Sequence, residues 1–267
     1  MIWKYLNHGS FDGAMNMAID EALLELAQPG ETIFRTYTWD RPTLSLGTFQ
    51  KYSDVNLDEI KKRNFGLVRR STGGRAVLHD KELTYSIIIK APHQALNQNV
   101  LESYYYLCKG LVAGLCQLGV DAQLKRSDDP SLSTPSCFAA PTFNDIEANG
   151  KKLVGSAQMR NALGLLQHGS ILIDVDMDDL FSVISKDAQT ATKLAQMAKA
   201  KITSINDQTG KKVSLEEVRS AIVAGFEKGL DVTFSPIEFD EGMIKLSNEL
   251  CVKKYGSPEW TQRQGAL

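Results

Sequence analysis

Between residues 14 and 27, Met15, Ala18, Ile19, Ala22, Leu23 and Leu26 recur at the i, i+3, i+4, i+7 spacing of one buried helical face. The period then changes. Segments 32–39, 43–49, 65–72, 75–80 and 82–90 are rich in Ile, Val, Thr, Tyr and Phe, with Pro and Gly between them, the texture of strands joined by turns. Residues 102–119 return to helical period, with Leu101, Tyr105, Cys108, Val112, Leu115 and Cys116 close to one stripe. Segments 142–148 and 151–158 flank Asn149-Gly150, the dipeptide that best accepts the positive φ angles of a type I′ turn, and so predict a β-hairpin. A further strand is expected over about 165–175. The remaining third reads as mostly helical, its surest start being Ser214, which with Glu217 forms a capping box ahead of Val218, Ile222 and Phe226.

Strands joined by short turns and followed by a helix-rich end predict an α+β fold with a mixed, largely antiparallel sheet flanked by helices. Regular β–helix alternation, which a doubly wound parallel sheet requires, is missing. The 267 residues, 43% hydrophobic, suffice for one sizeable domain spanning 1–267, with a small helical subdomain after about 180 as a further expectation. The 30 basic and 32 acidic side chains nearly cancel, so overall charge gives no support to a nucleic-acid role. No apolar run approaches a membrane span, and MIWKYLNHGSFDGA lacks the apolar core of a signal peptide; a cytoplasmic monomer is expected. Cys108, Cys116, Cys137 and Cys251 form no CxxC pair and have no histidine at zinc spacing, so they are read as free thiols and no metal site is expected.

Four places can carry chemistry. In RRSTGGRAVLHD, residues 69–80, paired glycines allow close backbone approach to a ligand, and Arg69, Arg70 and Arg75 can offer guanidinium donors to a carboxylate, a phosphate or a pantetheine group. The plainer reading is a glycine turn between strands with solvated arginines; neither a Walker A loop nor GxGxxG is present. His79 at a strand end can line a pocket, with Asp80 beside it fixing the loop, although a lone histidine is more often structural. Cys108 and Cys116 fit a helix's apolar stripe, whereas Cys137 follows the turn-forming SDDPSLSTPS and belongs on a loop, where a thiol needs an activating neighbour to act as a nucleophile. In NGKKLVGSAQ, strict alternation puts Lys152, Val154 and Ser156 on one face and Lys151, Leu153 and Gly155 on the other. One of the two lysines should therefore point inward, where it needs a negative group or a reaction centre. Gly155 and Ala157 are small enough for a ligand to pass, and sheet packing explains them equally well.

Taken together, NMAIDEALL (16–24), RTYTWDRPTLSLGTFQ (35–50), RRSTGGRAVLHD, NGKKLVGSAQMR and LQHGSILI (166–173) resemble the biotin/lipoate ligase and octanoyltransferase superfamily over most of the chain. That resemblance implies a mixed sheet backed by helices. It implies that Arg70, Gly73, Gly74, Arg75 and His79 help form an acyl pocket, that Lys152 contacts the acyl carbonyl, and that His168 lies near the tunnel. Lipoate–protein ligases of this superfamily use ATP and magnesium and typically show GGGAV followed by HDxGN; here Arg75 stands at the third glycine and HDKELTYS follows. SCFAAPTFNDI instead looks like the cysteine loop of thioester-forming octanoyltransferases, which implies Cys137 as nucleophile. The implied activity is octanoyl transfer from octanoyl-acyl carrier protein to a lysine of a lipoyl domain, such as the glycine-cleavage H protein, in lipoate biosynthesis, with no cofactor. The alternatives are an ATP- and Mg-dependent lipoate ligase and an amidotransferase acting between carrier proteins. From another class, a non-catalytic acyl- or lipoyl-binding module is disfavoured by the presence of both Cys137 and Lys152.

Overall fold

The structure, a computed structural model, describes residues 1–125 and 145–265. Its strands are β1 (Ile2–Phe11), β2 (Thr32–Trp39), β3 (Thr43–Leu46), β4 (Gly66–Arg69), β5 (Val77–His79), β6 (Glu82–Lys90), β7 (Ala122–Leu124), β8 (Ile146–Ala148), β9 (Lys151–Asn161), β10 (Gly164–Leu172) and β11 (Thr233–Pro236). The α-helices are α1 (Gly13–Leu26), α2 (Leu57–Lys62), α3 (Val100–Gln117), α4 (Met177–Ile184), α5 (Ala188–Lys199), α6 (Ile205–Thr209), α7 (Leu215–Leu230), α8 (Glu241–Leu250) and α9 (Pro258–Thr261). Eight strands form one sheet in the order β11-β1-β2-β6-β10-β9-β8-β7, and β4-β3-β5 form a second. In the large sheet β1 runs parallel to both β11 and β2, while the remaining pairs are antiparallel. The expected α+β mixed sheet is the observed fold.

Local chemistry explains the elements. Asp12 caps α1 by accepting from the Met15 amide, and Ser214 and Glu217 form the capping box that starts α7. Asn149 and Gly150 both have positive φ, 50° and 71°, so the β8–β9 turn is the expected type I′ hairpin. The first strand of that hairpin is described only from Ile146; residues 142–144 of the expected segment lie outside the described residues.

One face of the large sheet packs on α3 and α7. There Tyr85, Ile87, Leu107, Leu111, Ile222 and Phe226 belong to the main hydrophobic cluster. Cys108 is buried in it, and burial raises its thiol pKa to about 12, which suits core filling and not reactivity. Cys116, expected on the same stripe, is exposed at the helix end. The opposite face is graded along the strands. The register lines up a rung of Ile33, Ile88, Leu166 and Met159, then Arg35, Ser86, His168 and Ala157, then Tyr37, Thr84, Ser170 and Gly155. Ile19 and Leu23 of α1 seal the apolar rung. Asn16 and Asp20, one helical turn apart, are buried over the second rung, while Leu26, expected on the buried face, is 39% exposed. Beyond the second rung the sheet is covered by the small sheet, and that is where the site opens.

Candidate active site

A cavity of about 250 Å³ lies over the second and third rungs. Its walls come from Met17 of α1, Tyr37 and Trp39 of β2, Ser45 of β3, the loop and strand from Arg70 to His79, and Gly155, Ala157, His168 and Ser170. A smaller recess of about 60 Å³, bounded by Val77, Leu78, Leu172, Val175, Leu180 and Ile202, shares Lys152, Gly155, Val77 and Ser170 with it. Lys152 therefore stands between the two.

The two adjacent arginines are consumed by the protein. Arg69 donates to the carbonyls of Gly47 (2.9 Å), Trp260 (3.1 Å), Thr261 (3.0 Å) and Arg263 (2.8 Å), tying the last turn of the chain to β4. Arg70, buried on the other side of the strand, places all five N–H groups. Its Nη2 donates to the carbonyls of Gly73 (2.8 Å) and Arg75 (2.7 Å), its Nη1 to the Ser45 carbonyl (3.0 Å) and Oγ (3.1 Å), and its Nε to Thr72 Oγ1 (3.2 Å). Burial lowers its pKa to about 10, so it stays cationic at neutral pH. The sequence offered these guanidinium groups to a ligand; the geometry gives Arg70 to the glycine loop it follows. Gly74 adopts φ 86° and packs so tightly on Gly47 that a Cβ at Gly47 would lie 1.8 Å from its carbonyl oxygen. Gly74 and Arg75 line the cavity. Gly73 contributes its carbonyl to Arg70 and is absent from the wall.

Arg70 also aims two relays. Ser45 Oγ and Thr72 Oγ1 each accept from the guanidinium, which can only donate, so each hydroxyl proton is available to a histidine. Thr72 Oγ1 lies 2.6 Å from His168 Nε2, and His168 Nδ1 faces Asp20 Oδ2 at 3.4 Å. Ser45 Oγ lies 2.8 Å from His79 Nε2, and His79 Nδ1 lies 2.7 Å from Glu82 Oε1. In a neutral ring this network assigns the hydrogen to Nδ1 in both histidines. Burial lowers the His168 pKa, with Asp20 opposing the change. Burial resists ionisation of Glu82, but His79 and the hydroxyls of Ser170 and Thr84 bring its pKa below the usual carboxylate value. Trp39 stacks on His79 with ring centroids 4.1 Å apart. The carboxylate serving His79 is thus Glu82 and not its neighbour Asp80, which is exposed. Asp20 is held in turn by buried Arg35 (2.7 Å), Ser86 (2.8 Å) and Tyr37 (3.2 Å). Every histidine nitrogen of the wall has a protein partner, so an apolar chain can lie against it without stranding a buried polar group.

Lys152 is the inward lysine, by a route that alternation misses. The β8–β9 register slips between Ile146 and Glu147, a bulge opposite Lys152 and Val154. At the same point the Lys152 backbone turns to pair with residues 201–203 through Lys201 O (2.8 Å) and Thr203 N (2.9 Å). A bulge re-aims the side chain beside it. Lys152 leaves the face of Val154 and Ser156 and joins Gly155, with its Nζ 2.9 Å from Asp145 Oδ1. Lys151 goes the other way and donates to the Lys199 carbonyl at 3.2 Å.

The structure thus brings together Arg70, Gly74, Arg75, His79, Lys152, Gly155, Ala157 and His168. Cys137 lies outside the described residues. Sequence reasoning missed Asp145, Ser45, Thr72, Glu82 and Asp20. All five sit inside or beside the motifs already singled out, but only the strand register reveals their partners.

A mixed sheet carrying a half-buried lysine over a largely apolar cavity, beside a glycine loop pinned by an arginine, defines a class. The chain belongs to the lipoyl protein ligase A/B catalytic domain family, whose profile matches residues 12–227. It is accordingly an acyltransferase of the lipoate ligase and transferase group. Among curated relatives it is similar to octanoyltransferase LipM of Carboxydothermus hydrogenoformans, 42% identical over 265 residues, covering 98% of each chain. It is also similar to octanoyltransferase LipM of Staphylococcus aureus, 40% identical over 273 residues and covering 98% of this chain and 99% of the relative. Among solved structures it resembles a putative lipoate protein ligase from Thermoplasma acidophilum with bound lipoic acid, at TM-score 0.82 and 28% identity, covering 98% and 99% of the two chains. A lipoate-protein ligase A bound with ATP superposes with TM-score 0.81 at 28% identity, again covering 98% and 99%.

Proposed function

We propose that this enzyme transfers an octanoyl group from octanoyl-acyl carrier protein to a lysine of a lipoyl domain, such as the glycine-cleavage H protein, in lipoate biosynthesis. The observation that carries the reading is Lys152, aimed by Asp145 at the shared wall of a largely apolar cavity. The kinship with the LipM octanoyltransferases supports it.

In this reading the Cys137 thiolate attacks the carrier thioester, the carbon–sulfur bond to the phosphopantetheine breaks, and the released thiolate takes up a proton. The acceptor lysine, as the free amine, then attacks octanoyl-Cys137. The carbon–sulfur bond breaks, and the proton shed by the nitrogen passes to the departing sulfur as the amide forms. The Lys152 ammonium stabilises the oxyanion in both half-reactions, as preorganised donors do in low-dielectric sites. Incoming and stored thioesters are close in energy and the amide is much lower, so the chemistry runs without ATP. The cavity holds the tail at about 0.8 kcal/mol per buried methylene, roughly 5 kcal/mol for octanoyl. His79, His168 and Arg70 shape the wall, Gly74, Arg75 and Ala157 complete the acyl site, and Gly73 serves it only by holding Arg70. The recess next to Lys152 fits an ammonium group better than a nucleotide polyphosphate. Among the described residues, the carboxylates of Asp80, Glu82, Asp174 and Asp176 around it outnumber the ammonium groups of Lys81 and Lys152.

Intact-mass measurement after incubation with octanoyl-acyl carrier protein tests the proposal. One octanoyl adduct on the wild type, lost in Cys137→Ser and discharged by added lipoyl domain, is the expected result. An unmodified wild type, or an undiminished adduct on Cys137→Ser, rejects it. Octanoate-dependent exchange of pyrophosphate into ATP would replace it with the ligase reading. Octanoyl-H protein outperforming the acyl carrier protein as donor would replace it with the amidotransferase.

A further inference from the structure

From sequence, Gly155 is a small residue that either lets a ligand pass or merely suits sheet packing. The surroundings of its α-carbon say otherwise. A Cβ built there would lie 3.1 Å from Lys152 Cε and 3.3 Å from Lys152 Nζ, and no other described residue beyond its chain neighbours comes within 4 Å. The space that glycine leaves is thus occupied by the end of the Lys152 side chain. The bulge between Ile146 and Glu147 swings Lys152 onto this face, and the side chain must then run back over residue 155 to reach Asp145. Continuing the Ile146–Val154 pairing by one step sets Asp145 opposite Gly155 itself. The ammonium therefore crosses the strand at the one place where nothing projects.

Resting on the transfer reading above, we infer that Gly155 is a positioning residue for Lys152: its missing side chain is the slot that lets the ammonium reach Asp145 at the junction of the cavity and the recess. It acts on the reaction only through where the Lys152 nitrogen sits. An added methyl must displace that nitrogen by a few tenths of an ångström, because contacts of 3.1–3.3 Å are tighter than nine in ten of those a real Cβ makes. A misplacement of about 1 Å can cost roughly 100-fold in rate, so about tenfold is expected for alanine and more for valine.

The experiment compares Gly155→Ala, Gly155→Val, Lys152→Ala and the Gly155→Ala/Lys152→Ala double variant, with hexanoyl, octanoyl and decanoyl carrier proteins as donors. The expected result is a kcat about tenfold lower in Gly155→Ala for all three chain lengths, with KM within about twofold of the wild type, a further loss in Gly155→Val, and no added loss in the double variant relative to Lys152→Ala. Thermal stability of Gly155→Ala should stay near the wild type, because the atoms in the way belong to a movable side chain. A KM rise confined to the longer donors would make Gly155 part of the acyl wall and overturn the inference. So would an equal loss from Gly155→Ala with and without Lys152, or a Gly155→Ala variant that fails to fold. If Lys152→Ala is slow while Gly155→Ala matches the wild type, only this inference falls. If Lys152→Ala transfers at the wild-type rate, the role of Lys152 in the proposed reaction falls with it.

Discussion

Replacing Arg70 by lysine preserves the charge and removes the fork. The five acceptors that surround it, the carbonyls of Ser45, Gly73 and Arg75 and the hydroxyls of Ser45 and Thr72, meet five N–H groups on one plane. An ammonium has three donors on a single nitrogen and cannot span that set, so at least two acceptors lose their partner. A buried acceptor left unpaired costs about 1–3 kcal/mol. The Gly73–Gly74 turn is partly solvated and water can repair some of the loss, which places the total at about 2–4 kcal/mol. At roughly 2–4 °C per kcal/mol for a chain of this size, the midpoint should fall by roughly 4–16 °C. Differential scanning calorimetry measures the drop. Hydrogen exchange should show faster amides across residues 72–76, and octanoate binding should weaken because the loop that walls the cavity has loosened. Arg69→Lys supplies the control: it should lower the midpoint by detaching the segment around Trp260–Arg263 while leaving octanoate affinity nearly intact. If Arg70→Lys binds octanoate poorly yet melts and exchanges like the wild type, the guanidinium serves the ligand's anionic head, and its assignment to the glycine loop is wrong.

Two more expectations concern His8, which folding partly desolvates, and the close crossing of two helices. Burial and the nearby Arg35 charge lower the His8 pKa from 6.5 to about 4, and burial lowers that of His168. The unfolded chain therefore binds more protons than the folded one once the pH drops below about 6.5, and stability should decline from there toward pH 4. Asp20 and Glu82, whose folded pKa values are depressed, withdraw their own contribution only at lower pH. Thermal midpoints of the wild type and His8→Gln across pH 4–8 check the sign: the variant should have a shallower slope between 6.5 and 4, and a parallel curve would refute the assignment. Gly225→Ala on α7 should destabilise by about 3 kcal/mol or more. Its new Cβ would lie 2.2 Å from the Gly114 amide nitrogen of α3, where backbone meets backbone and neither helix can yield without repacking. Urea unfolding measures the loss, and a change below about 1 kcal/mol would contradict so close a crossing.

What could be read from the sequence depended on how locally each feature is encoded. The Asn149-Gly150 turn, the Ser214–Glu217 cap and the strands from Thr32 to Lys90 announce themselves within a few residues, and all are present. β1 does not. IWKYLNHGSF mixes polar and apolar positions, and its neighbour β11 lies more than two hundred residues away in the chain, so its pairing with Thr233–Pro236 has no local signal. The site divides in the same manner. Its motifs were visible as strings, but a string read at period two gives Lys152 the wrong neighbours, because one slipped residue at the β8–β9 bulge inverts every side chain that follows. Asn16 and Asp20 were hidden for a related reason. They lie off the apolar stripe of α1, so nothing in the string marks them as buried, whereas the helix buries them over Arg35, whose charge is placed there by the rung shared with Ser86 and His168. A buried carboxylate is intelligible only with its cation, and the two are fifteen residues apart on different elements. The same holds across the cavity wall, where one guanidinium sets the direction of two hydroxyls and, through them, the tautomers of two histidines. Residue type foretells that such groups need partners, but which partner each one takes is fixed by register, and register is a property of the folded sheet.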